Sequence, residues 1–339
     1  MRPRILGLLV VAALGMGGAP RAADRSPDPF DFFAPPLLLQ DGDREKLAHG
    51  GTIVRVVPGS AHAIAVFSAT AIEADGDRLF AWVRDIAALK RSDHVLAIGR
   101  FSTPPRLEDV AALTLDENDI SEIRKCRPGR CSIKLADDEI ETLQRAVQGG
   151  GGTHAIEEAF RPIILRRAER YLTSGATASS GAHFSELLKQ SPFLARQMPD
   201  VAEALDHWPH APLPRAESFL YWSKERFGPK PVVSVTHLLL LRGGDGPEPE
   251  ALVVGRQVFA THYMDGSLSV TAIFRDPAGS TRYLAYLNRS DVDVLGGLLG
   301  GVVRRIVERR VRSEAPAALE MLRNRVQSGT PPRLSGAVQ

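Results

Sequence analysis

Two histidines stand in runs of the chain that are otherwise apolar. His237 lies in Val232–Leu241 (VVSVTHLLLL), while His262 and Tyr263 end the run FATHY. An imidazole changes charge near neutral pH, so in an apolar cleft it can orient a ligand or move a proton. Strand alternation puts Val233, Val235, His237 and Leu239 on one face. In the next strand Val258, Ala260 and His262 share a face, and Phe259, Thr261 and Tyr263 share the other. If His237 and His262 face the same side, they make a polar spot in an apolar cleft. The competing reading is that each is a core histidine satisfied by a hydrogen bond. Tyr286, like Tyr221, Trp222, Glu225 and Tyr283, is an amphipathic strand residue that either packs or touches a ligand. The candidate ligand-binding residues are therefore His237, His262, Tyr263 and Tyr286, joined by Leu299 and Val303 of a C-terminal helix; no catalytic residue is assigned.

The better-marked chemistries are missing from the sequence. It has no P-loop, G-x-G-x-x-G, H-E-x-x-H or G-x-S-x-G. His154-Ala-Ile-Glu-Glu158 lacks a zincin's second histidine. Asp291-Val-Asp293 is read as capping the terminal helix, because hard cations want six or more oxygens. No metal set and no cofactor is expected. The 42 Lys and Arg against 40 Asp and Glu give no charge excess that would recommend a nucleic-acid partner. Two cysteines are too few for a four-thiolate zinc or iron–sulfur site. Cys126-Arg-Pro-Gly-Arg-Cys131 reads instead as a disulfide closing a Pro-Gly turn.

The first residues carry an address. Met1-Arg-Pro-Arg4 is basic, Ile5 to Gly18 is uncharged and mostly apolar, and Ala19 to Ala23 is rich in small residues. That order reads as a cleaved secretory signal over residues 1–23, and the apolar run falls short of the about 20 residues of a membrane span. A periplasmic or secreted protein with no integral span is expected. Losing Arg2, Arg4 and Arg21 leaves 39 of the 42 basic side chains against 40 acidic ones, close to neutral.

These residues need elements to position them. Residues 24–50, rich in Pro and Asp, are expected to form a flexible leader. Strands are expected at Gly51–Val57 and Ala63–Ala74, then a helix capped at Asp75–Asp77 with Leu79, Val83, Ile86 and Leu89 on one face, then a strand at His94–Phe101. Residues 103–216 read as a helical insertion. From Glu217 five strands follow as an antiparallel meander, with Asp265-Gly266 as the clearest hairpin turn. A long helix starts near Ser290–Asp293, is interrupted at Pro316, and ends before a disordered tail, residues 328–339. Its apolar side includes Leu299, Val303 and Ile306; its arginines pair with Glu308 and Glu314.

This order, over Ala63–Phe101 and Glu217–Val326, resembles the START-like, helix-grip (SRPBCC) superfamily. The resemblance implies an α+β fold in which a curved antiparallel sheet wraps a long C-terminal helix, interrupted here by the insertion. It places the α+β domain at residues 51–102 and 217–327. The segments SPFLARQMP and ATHYMDGSLSVT also look like those of an exported bacterial family without an assigned function. The implied function is an exported carrier for an apolar small molecule or lipid, held in a cavity between sheet and helix. A cyclase- or hydrolase-type enzyme using the same cavity, and a non-catalytic envelope interaction protein, are the alternatives.

Overall fold

The computed structural model describes residues 28–35, 37–57, 59–177, 181–243, 248–276, 280–296 and 300–331. The expected signal segment, Leu299 and residues 332–339 of the tail lie outside these. Among the described residues eight strands form one antiparallel sheet in the order β1-β2-β8-β7-β6-β5-β4-β3. The strands are β1 (Ile53–Val57), β2 (Ala63–Ile72), β3 (Val95–Arg100), β4 (Glu217–Arg226), β5 (Pro231–Arg242), β6 (Ala251–Ala260), β7 (Met264–Arg275) and β8 (Arg282–Val292). The helices are α1 (Asp41–Ala48), α2 (Gly76–Arg84), α3 (Ile86–Lys90), α4 (Glu117–Lys125), α5 (Asp137–Gln148), α6 (Gly152–Ser174), α7 (Gly181–Lys189), α8 (Pro192–Gln197), α9 (Pro199–Asp206) and α10 (Gly300–Gln327). The expected α+β class, curved sheet with a long C-terminal helix and a helical insertion, is what the chain adopts.

Register decides what each face carries. Leu239, Val254, Val270, Leu287 and Phe67 are cross-strand partners in succession, and all are buried. Because side chains alternate along a strand, the neighbouring rows Leu240–Val253–Thr271–Tyr286–Ser68 and Gly255–Ser269–Asn288 point the other way. The first face is apolar and lies under the insertion. Ile156, Phe160, Ile163 and Tyr171 of α6 pack with Trp222, Val233, Val235 and Phe259. Phe184, Phe193 and Leu205 of α7–α9 pack with Phe67, Val270 and Phe274.

The expected flexible leader is ordered where it is described. A 3-10 turn at Pro29–Phe33, capped by Asp28, buries Phe30, Phe32 and Phe33. Phe33 stacks edge-on against Phe67, 5.1 Å between ring centres, and against Phe274 at 5.7 Å. The Pro-rich composition hid three phenylalanines that complete the apolar face.

The second face is only partly covered. Asp75 Oδ1 accepts from Arg78 N and starts α2, whose Leu79, Trp82 and Val83 pack with Ile72, Phe219, Ala251 and Leu284. α10 lies along β2: Arg304 donates to the carbonyls of Ser60, Ala61 and Ala63, and Arg323 donates to Thr70 Oγ1. Only its distal half is well buried, through Leu319 and Val326, whereas Val302 and Ile306 are 55% and 62% exposed.

Three further expectations are corrected. α10 begins at Gly300, not near Ser290, because Asp291 is still in β8 and Asp293 opens a 3-10 turn. It runs through Pro316 as one helix, since neighbouring turns hold a helix that lacks one amide donor. The β6–β7 turn is Thr261–Tyr263, with Tyr263 at φ 63°, and Asp265-Gly266 sits within β7. The tail's first residues are also packed: Trp82 Nε1 donates to Gly329 O at 2.7 Å. Cys126 and Cys131 form the expected disulfide. Among the described residues no helix is long and apolar enough to cross a membrane.

If residues 28–35 belong to the core, Phe33→Ala should cost about 3–5 kcal/mol, as deleting a buried aromatic does. Thermal or denaturant unfolding measures it, and an unchanged stability would restore the flexible-leader reading.

Candidate functional site

The candidate histidines do not form one spot. His237 is on the insertion face, 1% exposed, with Nδ1 2.9 Å from the Tyr171 hydroxyl and its ring 4.4 Å from that of Trp208. Burial, helped by the nearby Arg256 guanidinium, pushes its pKa down to about 3, so the ring is neutral at physiological pH. His262 lies in the β6–β7 turn beyond the strand, and its Nε2 meets Asp119 Oδ1 of α4 at 2.8 Å. That pair ties the insertion to the sheet. The strained turn is held in turn by Tyr263, whose hydroxyl accepts from Lys230 N. Both histidines lie buried against the insertion: His262 is paired through Nε2, whereas His237 is paired through Nδ1 and its Nε2 has no partner among the described residues.

Tyr286 is different. It is half-buried on the face turned toward α10, where burial pushes its phenol up to about 12 against the pull of Lys90. Around it the face is lined by small polar groups. Thr236, Gln257, Ser269, Thr271 and Asn288 are all half-exposed. Among the described residues the hydroxyls of Thr236, Ser269 and Thr271 have no protein partner, while Asn288 donates to Ser267 Oγ at 3.0 Å. Gly255 is required in this strip: a Cβ there would come within 2.4 Å of Ser269 Oγ. Val303, Val307 and Val311 recur at helical spacing along a half-buried flank of α10.

The strip ends at an ion pair. Lys90 Nζ lies 2.6 Å from Glu225 Oε1 and 3.5 Å from the Tyr221 hydroxyl. Ser223 Oγ donates to Glu225 at 2.5 Å and lies 3.2 Å from Ser234 Oγ. Burial works against the Lys90 ammonium, but Glu225 and the two phenols outweigh it and hold its pKa above the ordinary value. Neither Lys90 nor Tyr286 titrates near neutrality, so the strip offers fixed hydrogen-bonding groups in place of a proton relay.

A cavity of about 280 Å³ lies on the insertion side, lined by Lys134, Arg167, Phe259, Ala260, Met264 and Asp265. Ala272 and Ala285, expected to leave space against the terminal helix, belong to the opposite, apolar core. Sequence reading missed Lys90 and the hydroxyl row, although Ser267-Leu-Ser-Val-Thr271 displays that row at period two.

His237 also gives the site region a pH signature. The unfolded imidazole takes its proton near pH 6.5, the folded one only near 3, so the unfolded chain binds more protons between these values. Stability should fall as pH drops through that window, by up to about 1.4 kcal/mol per pH unit from this group. In denaturant unfolding at several pH values, His237→Gln should show a shallower dependence than the wild type; parallel curves would contradict the buried neutral ring.

No family model matches the chain, and no curated protein matches it. Among solved structures it is similar to human STARD10, 8% identical, covering 86% of this chain and 80% of that one at a TM-score of 0.33. It is similar to TTHA0849 from Thermus thermophilus, 12% identical over 40% of this chain and 86% of that one, TM-score 0.26. It is also similar to the di-domain ARO/CYC BexL from the BE-7585A biosynthetic pathway, 11% identical over 83% and 88%, TM-score 0.24. No ligand or chemistry is carried over from these neighbours.

Proposed function

We propose that this chain is an exported binding module that holds a lipid or other small amphipathic molecule on the polar strip beside α10. The observation that carries this reading is the set of half-exposed hydroxyls at Thr236, Ser269 and Thr271, which have no protein partner among the described residues. A solvated hydroxyl row gives polar ligand groups donors and acceptors at fixed spacing, and the Val303–Val307–Val311 flank gives an apolar body a surface. The wholly apolar ligand expected from sequence suits this floor poorly, because burying those hydroxyls unpaired costs free energy. The stable protonation of Lys90 and Tyr286 favours holding over catalysis. Export rests on the basic, apolar and small-residue order of residues 1–23.

The test is binding of anilinonaphthalene sulfonate, which joins an apolar body to an anionic group, to the folded protein. Thr271→Phe fills the strip and should weaken binding about tenfold, equivalent to about 1.4 kcal/mol, with the fold retained by circular dichroism. Folded Thr271→Phe and Ser269→Phe variants that bind as the wild type does would remove the strip as the site.

A further inference from the structure

Ser68 is a polar residue that packing alone does not explain. It lies on β2 in the cross-strand row Thr271–Tyr286–Ser68, on the face that carries the strip. α10 is anchored to β2 on either side of it, through Arg304 on Ala63 O and Arg323 on Thr70 Oγ1. Ser68 is only 2% exposed, yet its hydroxyl makes no hydrogen bond among the described residues. Nor is it one of the polar atoms sealed from solvent without a partner. A buried hydroxyl left unpaired costs free energy, which a ligand oxygen reaching it from the strip would recover.

The groups beside Ser68 share one chemistry. Thr236, Ser269 and Thr271 offer hydroxyls, and Gln257 and Asn288 offer carboxamides; both kinds of group donate and accept. Asn288 Nδ2 and Ser290 Oγ both donate to Ser267 Oγ, at 3.0 and 2.9 Å, which orients that end of the strip. The rows Thr236–Gln257, Gly255–Ser269–Asn288 and Thr271–Tyr286–Ser68 contain no acidic or basic residue. At the end of the strip Lys90 pairs with Glu225 at 2.6 Å, while on α10 Arg304 and Arg312 pair with Glu308 and Arg310 pairs with Glu314.

We propose that the head group this strip accepts is uncharged and polyhydroxylated, the sugar head of a glycolipid or alkyl glycoside, with Ser68 as its most buried contact. The inference rests on the reading of the strip as the binding site and names the class of ligand for it. An ionic head would give up its hydration here without meeting a free counter-charge. A sugar's hydroxyls both donate and accept, so they match hydroxyls and carboxamides in either sense. The Val303–Val307–Val311 flank takes the chain that the sugar carries.

The experiment is titration calorimetry of the folded full chain with octyl β-glucoside, octyl sulfate and octyltrimethylammonium, each below its micelle concentration. The three share one chain and differ in the head. The glucoside should bind at least about tenfold more tightly than either ion, and more tightly than free glucose by a similar factor. Ser68→Ala and Gln257→Leu, with folding checked by circular dichroism, should each cut that preference at least about threefold. If the three amphiphiles bind alike and Thr271→Phe weakens them all, the strip is the site but the sugar head is wrong. Glucose binding as tightly as the glucoside would overturn the amphiphile. Binding of none of them, or glucoside binding untouched by Thr271→Phe, would overturn the strip reading and this inference together.

Discussion

Everything in this molecule hangs on the inequality of the two faces of one sheet. Strand alternation sends Leu239, Val254, Val270, Leu287 and Phe67 to one side and Thr271, Tyr286, Ser68, Ser269 and Asn288 to the other. The apolar row must be hidden, because each such side chain gains about 1.5–3 kcal/mol on full burial. The insertion and the Phe30–Phe33 turn do that covering. With one face closed this way, the other is free to stay partly open, and α2, α3 and α10 cover it only toward one end and along β2.

Closing the apolar face brings polar groups into the interior, and several of them pair there. His262 meets Asp119, Arg167 meets Glu139, and Tyr171 meets His237. Each pair joins a residue of the insertion to the sheet or to another part of the insertion. Buried pairs of this kind add little net stability, yet breaking one leaves an uncompensated partner, which penalises wrong docking of the helices. The same logic reads His237 as a neutral packing residue. Its environment of Tyr171, Trp208 and Arg256 excludes a second charge, and acid–base work near neutrality with it.

Much of the architecture is legible in the residues. The period-two runs in β5 and β7, the Asp75 cap and the Cys126–Cys131 turn are all local signals, and local signals survive folding. What cannot be read is the direction each face points, because alternation specifies two faces without saying which partner covers either. That is why His237, Ala272 and Ala285, expected against the terminal helix, are found under the insertion. The Asp265-Gly266 turn fails for another reason. Thr261 Oγ1 accepts from Val233 N and fixes the turn earlier, at the cost of a left-handed Tyr263. Tyr286 is legible as amphipathic, but its partners Lys90 and Tyr221 come from distant parts of the chain.

The difference between the faces can be measured directly. The two cysteines are bonded to each other and no free cysteine is present, so single cysteines can be introduced and labelled cleanly in the unreduced protein. Thr271→Cys and Thr236→Cys place thiols on the open strip; Val270→Cys and Val235→Cys place them on the buried side of the same strands. With a polar methanethiosulfonate reagent on folded protein, the first two should label rapidly, and the second two should stay protected until the chain opens. Equal protection of all four, or faster labelling at Val270→Cys and Val235→Cys, would contradict an open polar face opposite a closed apolar one.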